Sequence, residues 1–233
     1  MTQPLCIVAG VGPGTGMACC HRFRQAGYRV AILARDLQRL QEYASGDADI
    51  LSYACDLSDP DAIAKVFEDI LDSHGTPQTV IYNAGSGLFG GPMEVSQDDF
   101  EMAWRINSLG LLCVAQAVIP NMIEQGGGNL VITGATASLR GGANFTAFSS
   151  AKAAQRSLAQ SLARSHASQG VHVALVIVDG IIDIPRTRER LPDKPDDFFL
   201  KAEAIADTYY ALTQQDPSAW TFEVDLRPHT ESW

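Results

Sequence analysis

The chain has 233 residues and a mass of 25.0 kDa, and 46% of its residues are hydrophobic, which suits one α/β domain with its own core. Seventeen basic residues against 27 acidic ones give a net charge of −10, which argues against a protein that binds the nucleic-acid backbone. No apolar run approaches the roughly 18 residues that span a bilayer, and the N-terminus lacks a signal-peptide pattern. We therefore expect a cytoplasmic protein that binds neither nucleic acid nor a membrane.

Short apolar runs alternate with helical patterns along the chain, which is typical of a parallel sheet covered by helices on both faces. Most of these runs are continuously apolar, as strands buried on both faces should be, whereas the last one alternates and suits an edge strand. The predicted strands are Leu5–Ala9, Val30–Ala34, Ile50–Ala54, Thr79–Asn83, Asn129–Thr133, Val171–Val178 and Thr221–Leu226.

Helical patterns fill the intervals between these strands. Helices are predicted from about Gly16, after Asp59-Pro60, from Gln97 to Met122 and from Phe145 to Gln169. One irregular stretch, around residues 183–200, is rich in Pro and charge and is either a solvated loop or a lid over a site. No linker divides the chain, so a single domain is predicted over residues 1–233.

The five cysteines are an odd number, and none belongs to a C-x-x-C pair or a Cys/His metal pattern. We therefore predict free thiols that pack as small apolar residues, and no metal site. The cysteines are Cys6, Cys19, Cys20, Cys55 and Cys113.

A glycine-rich loop joins the first strand to the first helix. Gly10, Gly14 and Gly16 have the spacing G-x-x-x-G-x-G, which permits a tight turn and a close backbone approach to a pyrophosphate. The helix that follows offers free N–H groups and the positive end of its dipole. The loop therefore predicts a dinucleotide-binding site.

The end of the second strand indicates which dinucleotide. Arg35 comes first after that strand, where a basic side chain suits the 2′-phosphate of NADP and an acidic one the 2′-hydroxyl of NAD. Asp36 is well placed as the N-cap of the next helix. We therefore predict NADP(H) in preference to NAD(H).

Two further motifs follow strands at the edge where parallel sheets bind ligands: Asp56-Leu57 after the third strand and Asn83-Ala84-Gly85 after the fourth. With the glycine loop, Asn107 in the long central helix and Lys152, these motifs make the chain resemble the short-chain dehydrogenase/reductase family over essentially its whole length. The resemblance implies a Rossmann-type, doubly wound, seven-stranded parallel sheet in three αβα layers.

The same resemblance implies roles for these residues. Asp56 and Leu57 would contact the adenine, and Asn83, Ala84 and Gly85 would form the floor under the nucleotide. Lys152 would hold the nicotinamide ribose. The resemblance also implies a homodimer or homotetramer that pairs through the two long helices.

The resemblance fails where the chemistry is expected. The family uses a Tyr four residues before its Lys, and Phe148 stands at that position before Lys152. The family's Ser lies about thirteen residues before the Tyr, and Ala135 stands there. Of the four catalytic positions, only Asn107 and Lys152 keep the family's residue.

A third departure follows the sixth strand, where Asp179 and Asp183 lie close to the expected nicotinamide position. Each carboxylate serves either in local turn and lid bonds or as a buried acid of raised pKa that replaces the Tyr as proton donor. Asp179 is the candidate substitute acid.

Three functions remain open on this sequence. The first is a short-chain oxidoreductase that uses NADP(H) on a small carbonyl/alcohol substrate with a degenerate catalytic set. The second is a weak or inactive NADP-binding protein, a sensor or partner subunit. The third is a lyase or isomerase that uses Asp179 or Asp183, because a fold alone does not choose among chemistries.

Overall fold

The central sheet contains seven strands, all of them parallel, and a separate pair of two-residue strands lies outside it. The computed structural model describes residues 3–231, so residues 1–2 and 232–233 of the predicted domain lie outside the described residues. The strands are β1 (Leu5–Ala9), β2 (Arg29–Ala34), β3 (Ile50–Ala54), β4 (Thr79–Tyr82), β5 (Gly128–Ala135), β6 (Val171–Val178), β7 (Ile181–Ile182), β8 (Phe199–Leu200) and β9 (Glu223–Leu226).

The sheet has the strand order β3-β2-β1-β4-β5-β6-β9. The chain therefore starts in the middle of the sheet, winds to one edge, and then crosses back to build the other edge. Every predicted strand forms, with ends within two residues of the predicted bounds. The doubly wound, seven-stranded parallel sheet predicted from the sequence is confirmed.

Helices cover both faces of the sheet and create two hydrophobic cores. One core lies between the sheet and α3, α5 and α6, and the other between the sheet and α1, α2 and α8. The helices are α1 (Thr15–Gln25), α2 (Leu37–Tyr43), α3 (Pro60–His74), α4 (Gln97–Trp104), α5 (Gly110–Glu124), α6 (Thr146–His166), α7 (Pro185–Arg190) and α8 (Ala202–Thr213).

The segment around residues 183–200 is more regular than its composition indicates. It contains the short helix α7, whose start is fixed because the Thr187 hydroxyl accepts a hydrogen bond from Ile184 N at 3.2 Å and donates one to Ile182 O at 2.6 Å. Its end, β8, pairs in parallel with β7. The prediction of an irregular stretch was therefore wrong in this detail.

The long central helix is not continuous. Arg105–Leu109 forms a π-helical turn between α4 and α5, and two of its backbone carbonyls accept hydrogen bonds from side chains. The Tyr82 hydroxyl donates to Ile106 O, and Gln155 Nε2 donates to Asn107 O at 2.9 Å. The turn is thus stabilised from the sheet on one side and from α6 on the other.

The helical stretch Gln97–Glu124 is long and apolar enough to cross a membrane by length and composition alone, contrary to the sequence prediction that no segment approaches that length. Half of its most apolar window is buried inside the fold. Leu111, Val114, Val118 and Met122 are part of the core beneath the sheet. The stretch is therefore a core helix of this domain.

All five cysteines are free thiols, and four of them are buried, as the sequence predicts. Burial raises the pKa of the Cys55 thiol to about 11 and that of the Cys20 thiol to about 12. Because the thiolate is the reactive form, these side chains serve as core packing.

Candidate cofactor and active site

The glycine loop meets the end of β4 at the point where the strand order reverses, which is where open α/β sheets bind ligands. Gly10 has a φ of +98°, and a Cβ there would lie 2.5 Å from Ala84 N, so only glycine fits. Asn83 Nδ2 donates to Gly10 O at 2.7 Å. The structure therefore brings two predicted motifs, the glycine loop and residues 83–85, into direct contact.

The N-terminus of α1 is open to a ligand. Gly14 occupies the N-cap and no side chain caps the helix, so backbone N–H groups of the first turn are left for another acceptor. The buried Thr15 hydroxyl has no hydrogen-bond partner among the described residues. A Cβ at Gly16 would lie 2.8 Å from Val11 Cα, so the loop also packs too closely for a side chain there. These features fit the pyrophosphate of a dinucleotide.

The ends of β2 and β3 contribute the charged side chains of the predicted adenosine region. Asp36 accepts a hydrogen bond from Arg39 N at 3.1 Å and caps α2, as predicted. Arg35 beside it is exposed. Desolvation alone would raise the pKa of Asp56, but hydrogen bonds from Ser58 and the charge of Arg35 outweigh it and lower the pKa. The positive charge of Arg35 therefore stabilises the charged form of Asp56.

Lys152 lies on α6 and is almost fully buried. Its ammonium donates to Thr133 O at 2.8 Å and to Gln155 Oε1 at 3.0 Å. Removal from water lowers the pKa of Lys152 to about 7. Gln155, itself fully buried, uses its other end to bind Asn107 O, and so it ties Lys152 to the π-helical turn.

Thr133 joins this cluster to the glycine loop. The buried Tyr209 hydroxyl of α8 donates to Thr133 Oγ1 at 2.8 Å, and Thr133 Oγ1 donates to Asn83 Oδ1 at 3.0 Å. With the bond from Asn83 to Gly10, a chain of hydrogen bonds runs from α8 through β5 to the loop. The sequence motifs reveal neither Tyr209 nor Gln155; the only signal for Gln155 is a polar residue three positions after Lys152 on the same helical face.

Asn107 faces the same recess as Lys152. Its Nδ2 donates to Ala103 O at 2.8 Å and to Ser86 Oγ at 3.3 Å, whereas its buried Oδ1 has no partner among the described residues. A Cβ at Gly85 would lie 3.3 Å from this oxygen and 3.5 Å from Lys152 Nζ. A side chain at residue 85 would therefore crowd both the acceptor Asn107 Oδ1 and the Lys152 amine, a pair of groups whose chemistry suits the hydroxyls of a ribose.

Phe148 and Ala135 bring no polar side chain to this recess. The Phe148 ring lies on α6 with its centroid 6.0 Å from Lys152 Nζ. Ala135 ends β5, and its backbone N donates to Ser138 Oγ at 3.1 Å. Neither position therefore presents a group that exchanges a proton.

The two carboxylates after β6 are paired with arginines. Asp183 accepts two hydrogen bonds from Arg188, at 2.6 and 2.7 Å, and these bonds lower the pKa of Asp183. Asp179 accepts a hydrogen bond from the Thr136 hydroxyl and lies 3.3 Å from Arg227 Nη2. The alternative in which Asp183 is a buried acid of raised pKa is therefore wrong, and its carboxylate serves in local bonds of the 183–200 segment.

The chain belongs to the short chain dehydrogenase family, whose family model matches residues 5–195. The 3-oxoacyl-acyl-carrier-protein reductase FabG of Thermotoga maritima is 26% identical over 233 residues, which cover 94% of each protein. A short-chain dehydrogenase structure from Rhodopseudomonas palustris is 28% identical, has a TM-score of 0.84, and matches 98% of this chain and 100% of its own. A metagenomic short-chain oxidoreductase in complex with NADP is 26% identical, with a TM-score of 0.83 and 97% of each chain covered.

Replacement of Gln155 tests the cluster around Lys152. Gln155→Leu removes an acceptor from the buried ammonium and the donor to Asn107 O, so we expect the free energy of unfolding to fall by roughly 1–3 kcal/mol. Gln38→Leu on the exposed side of α2 is the control and should change it by less than about 0.5 kcal/mol. Urea unfolding followed by circular dichroism measures both, and equal effects would show that the Gln155 bridge contributes nothing.

The lowered pKa of Lys152 predicts a pH dependence of stability. Between about 7 and 10.5 the folded protein holds fewer protons at this site than the unfolded chain, so the free energy of unfolding rises with pH in this window. Below pH 7 the ammonium is charged in both states and its burial is destabilising. Relative to Lys152→Met, the wild type should gain about 2 kcal/mol between pH 7 and pH 9. Parallel stability curves for the two proteins would contradict the shift.

Proposed function

We propose that the protein is an oxidoreductase that uses NADP(H) on a small carbonyl/alcohol substrate. One observation carries this proposal: Lys152 Nζ and Asn107 Oδ1, which has no partner among the described residues, both lie beside Gly85, and we call this place the recess. The recess lies at the same sheet edge as the glycine loop. The recess fits the nicotinamide ribose, and the loop fits the pyrophosphate. Membership of the short chain dehydrogenase family supports the proposal.

The residues that would hold the cofactor come from the loops after β1, β2, β3 and β4, from the first turn of α1 and from α6. The glycine loop and the N-terminus of α1 bind the pyrophosphate, and Lys152 binds the nicotinamide ribose. When bound, the nicotinamide supplies or accepts the hydride of the reaction. The full set is Gly10, Gly14, Gly16, Arg35, Asp56, Leu57, Asn83, Ala84, Gly85 and Lys152.

The preference for NADP(H) rests on Arg35. Its side chain is exposed after β2, where it would meet a 2′-phosphate, while Asp36 already accepts from the N-terminus of α2. A carboxylate engaged in this way is less able to bind the 2′-hydroxyl of NAD. The relative solved in complex with NADP supports the same cofactor.

The proposed chemistry is slow because the usual proton donor is missing. Phe148 and Ala135 stand where the family has its Tyr and Ser, and loss of a general acid costs about 10²–10⁴ in rate. Asn107 and Lys152 still bind and orient the ligand. The absence of hydroxyls at residues 135 and 148 also favours a second candidate, a protein that binds NADP as a sensor or partner subunit without turnover.

We further propose that the protein forms a homo-oligomer and that the segment around residues 183–200 is a lid over the site. The exposed side chains of Phe100 and Trp104, four residues apart on one face of α4, give this helix an apolar surface, which supports pairing of two copies in a homodimer or homotetramer. A Cβ at Gly14 would lie 2.8 Å from Ile184 Cγ2, so the segment around residues 183–200 approaches the glycine loop as a lid would. We propose a cytoplasmic location on the composition alone.

Replacement of Arg35 tests the choice of cofactor. Arg35→Ala should weaken NADPH binding about tenfold or more and leave NADH binding almost unchanged, because only the 2′-phosphate loses a charge partner. Arg164→Ala near the C-terminal end of α6 is the matched control. Fluorescence titration of both reduced cofactors gives the two dissociation constants, and an equal loss for NADPH and NADH would refute the assignment.

Restoration of the family residues tests turnover. The wild type should oxidise NADPH slowly with a panel of small ketones and aldehydes, and Phe148→Tyr combined with Ala135→Ser should raise the rate about 10²-fold or more. Absorbance at the reduced-nicotinamide band measures both rates. Tight NADPH binding without any wild-type turnover would favour the sensor or partner function instead.

A further inference from the structure

Three phenylalanines form an aromatic cluster at the mouth of the proposed active site. The ring centroids of Phe89 and Phe145 lie 5.1 Å apart and those of Phe89 and Phe148 lie 5.7 Å apart, both edge to face, while Phe145 and Phe148 are 6.4 Å apart. Phe89 is 54% exposed and Phe145 is 41% exposed. This phenyl cluster (Phe89, Phe145 and Phe148) therefore presents apolar ring surface to solvent.

Backbone hydrogen bonds hold the cluster in place. Gly90 N donates to Asn144 O at 2.8 Å and Thr146 N donates to Gly90 O at 3.3 Å, so a parallel bridge joins the loop after β4 to the start of α6. Phe145 O accepts from the Ser149 hydroxyl at 2.6 Å. The exposed rings thus sit on segments that are fixed to each other.

The cluster borders the recess described above. Phe148 belongs to the cluster and lies four residues before Lys152 on the same helical face, with 6.0 Å between its ring centroid and Nζ. Phe89 follows Gly85 in the same loop, and Gly85 lies beside Lys152. The phenyl cluster is therefore adjacent to the buried side chain of Lys152.

The charges around the cluster restrict what it can bind. The Lys152 ammonium opposes a cation, although aromatic rings otherwise suit one. The Glu94 carboxylate, which accepts from Gly91 N at 3.0 Å just beyond the bridge, opposes an anion. The three rings themselves carry no charge and offer no hydrogen bond. The ligand that best suits the phenyl cluster is therefore a neutral, flat, apolar group.

We propose that the substrate is a neutral aromatic carbonyl or alcohol whose ring packs on the phenyl cluster while its oxygen faces Lys152. The proposal rests on the proposed function and names the substrate class of that site. Hydride transfer to such a carbonyl carbon leaves an oxygen that must take up one proton, and the loss of the Tyr hydroxyl leaves that step to solvent or to the Lys152 ammonium.

The test compares two ketones that differ only in the ring, acetophenone and cyclohexyl methyl ketone. Their dissociation constants are measured by ligand-observed NMR titration, with and without saturating NADPH. We expect acetophenone to bind about fivefold tighter or more, since edge-to-face aromatic contacts add to simple area burial. Phe89→Leu and Phe145→Leu should each reduce this preference about twofold or more, because leucine keeps the apolar volume and loses the ring.

Phe222→Leu is the matched control, because Phe222 lies next to β9, outside the cluster, and should leave the preference unchanged. Circular dichroism establishes that each variant is folded. Equal affinity for the two ketones, or a preference that survives both cluster variants, overturns the proposal. The two proposals fail separately: absence of NADPH binding in the fluorescence titration refutes the cofactor, whereas absence of the ring preference in the ketone titrations refutes only the substrate class.

Discussion

The buried ammonium of Lys152 is the charge on which the arrangement of the site depends. A cation cannot leave water without acceptors, and Thr133 O and Gln155 Oε1 supply two of them. Each acceptor is also committed elsewhere: Gln155 holds the π-helical turn through Asn107 O, and Thr133 links the Tyr209 hydroxyl to Asn83. Hydrogen bonds around one buried side chain therefore connect α6, β5, the central helix and the glycine loop.

The same region contains two of the groups whose hydrogen-bonding capacity the described residues leave unused. Asn107 Oδ1 and Thr15 Oγ1 are buried acceptors without partners among those residues, and the pKa of Lys152 falls to about 7. Two other buried hydroxyls without a partner among the described residues, Ser52 Oγ in β3 and Thr79 Oγ1 at the start of β4, lie away from the glycine loop. Burial of the Lys152 charge is energetically costly, which is why its pKa is lowered.

The sheet was predictable because strands buried on both faces are continuously apolar, and the glycine loop because Gly10 has to adopt a positive φ against Ala84. The lysine cluster was not predictable. Gln155 matters through a partner 48 residues away in the chain, which no local pattern shows. Similarly, the charge and Pro content of residues 183–200 resemble a solvated loop, although Thr187 and the β7–β8 pair order its two ends. The sequence also indicates Asp183 as a candidate acid, and only the structure shows that Arg188 pairs with it.

Phe148 takes part in both proposals, because it stands where the family resemblance predicts a Tyr and it belongs to the phenyl cluster. A phenol at this position would place a polar hydroxyl group near Lys152. The phenyl ring has no proton to donate, and it forms a continuous apolar surface with Phe89 and Phe145. The proposed contact of an aromatic ligand with this surface does not depend on turnover, so it is consistent with both proposed functions.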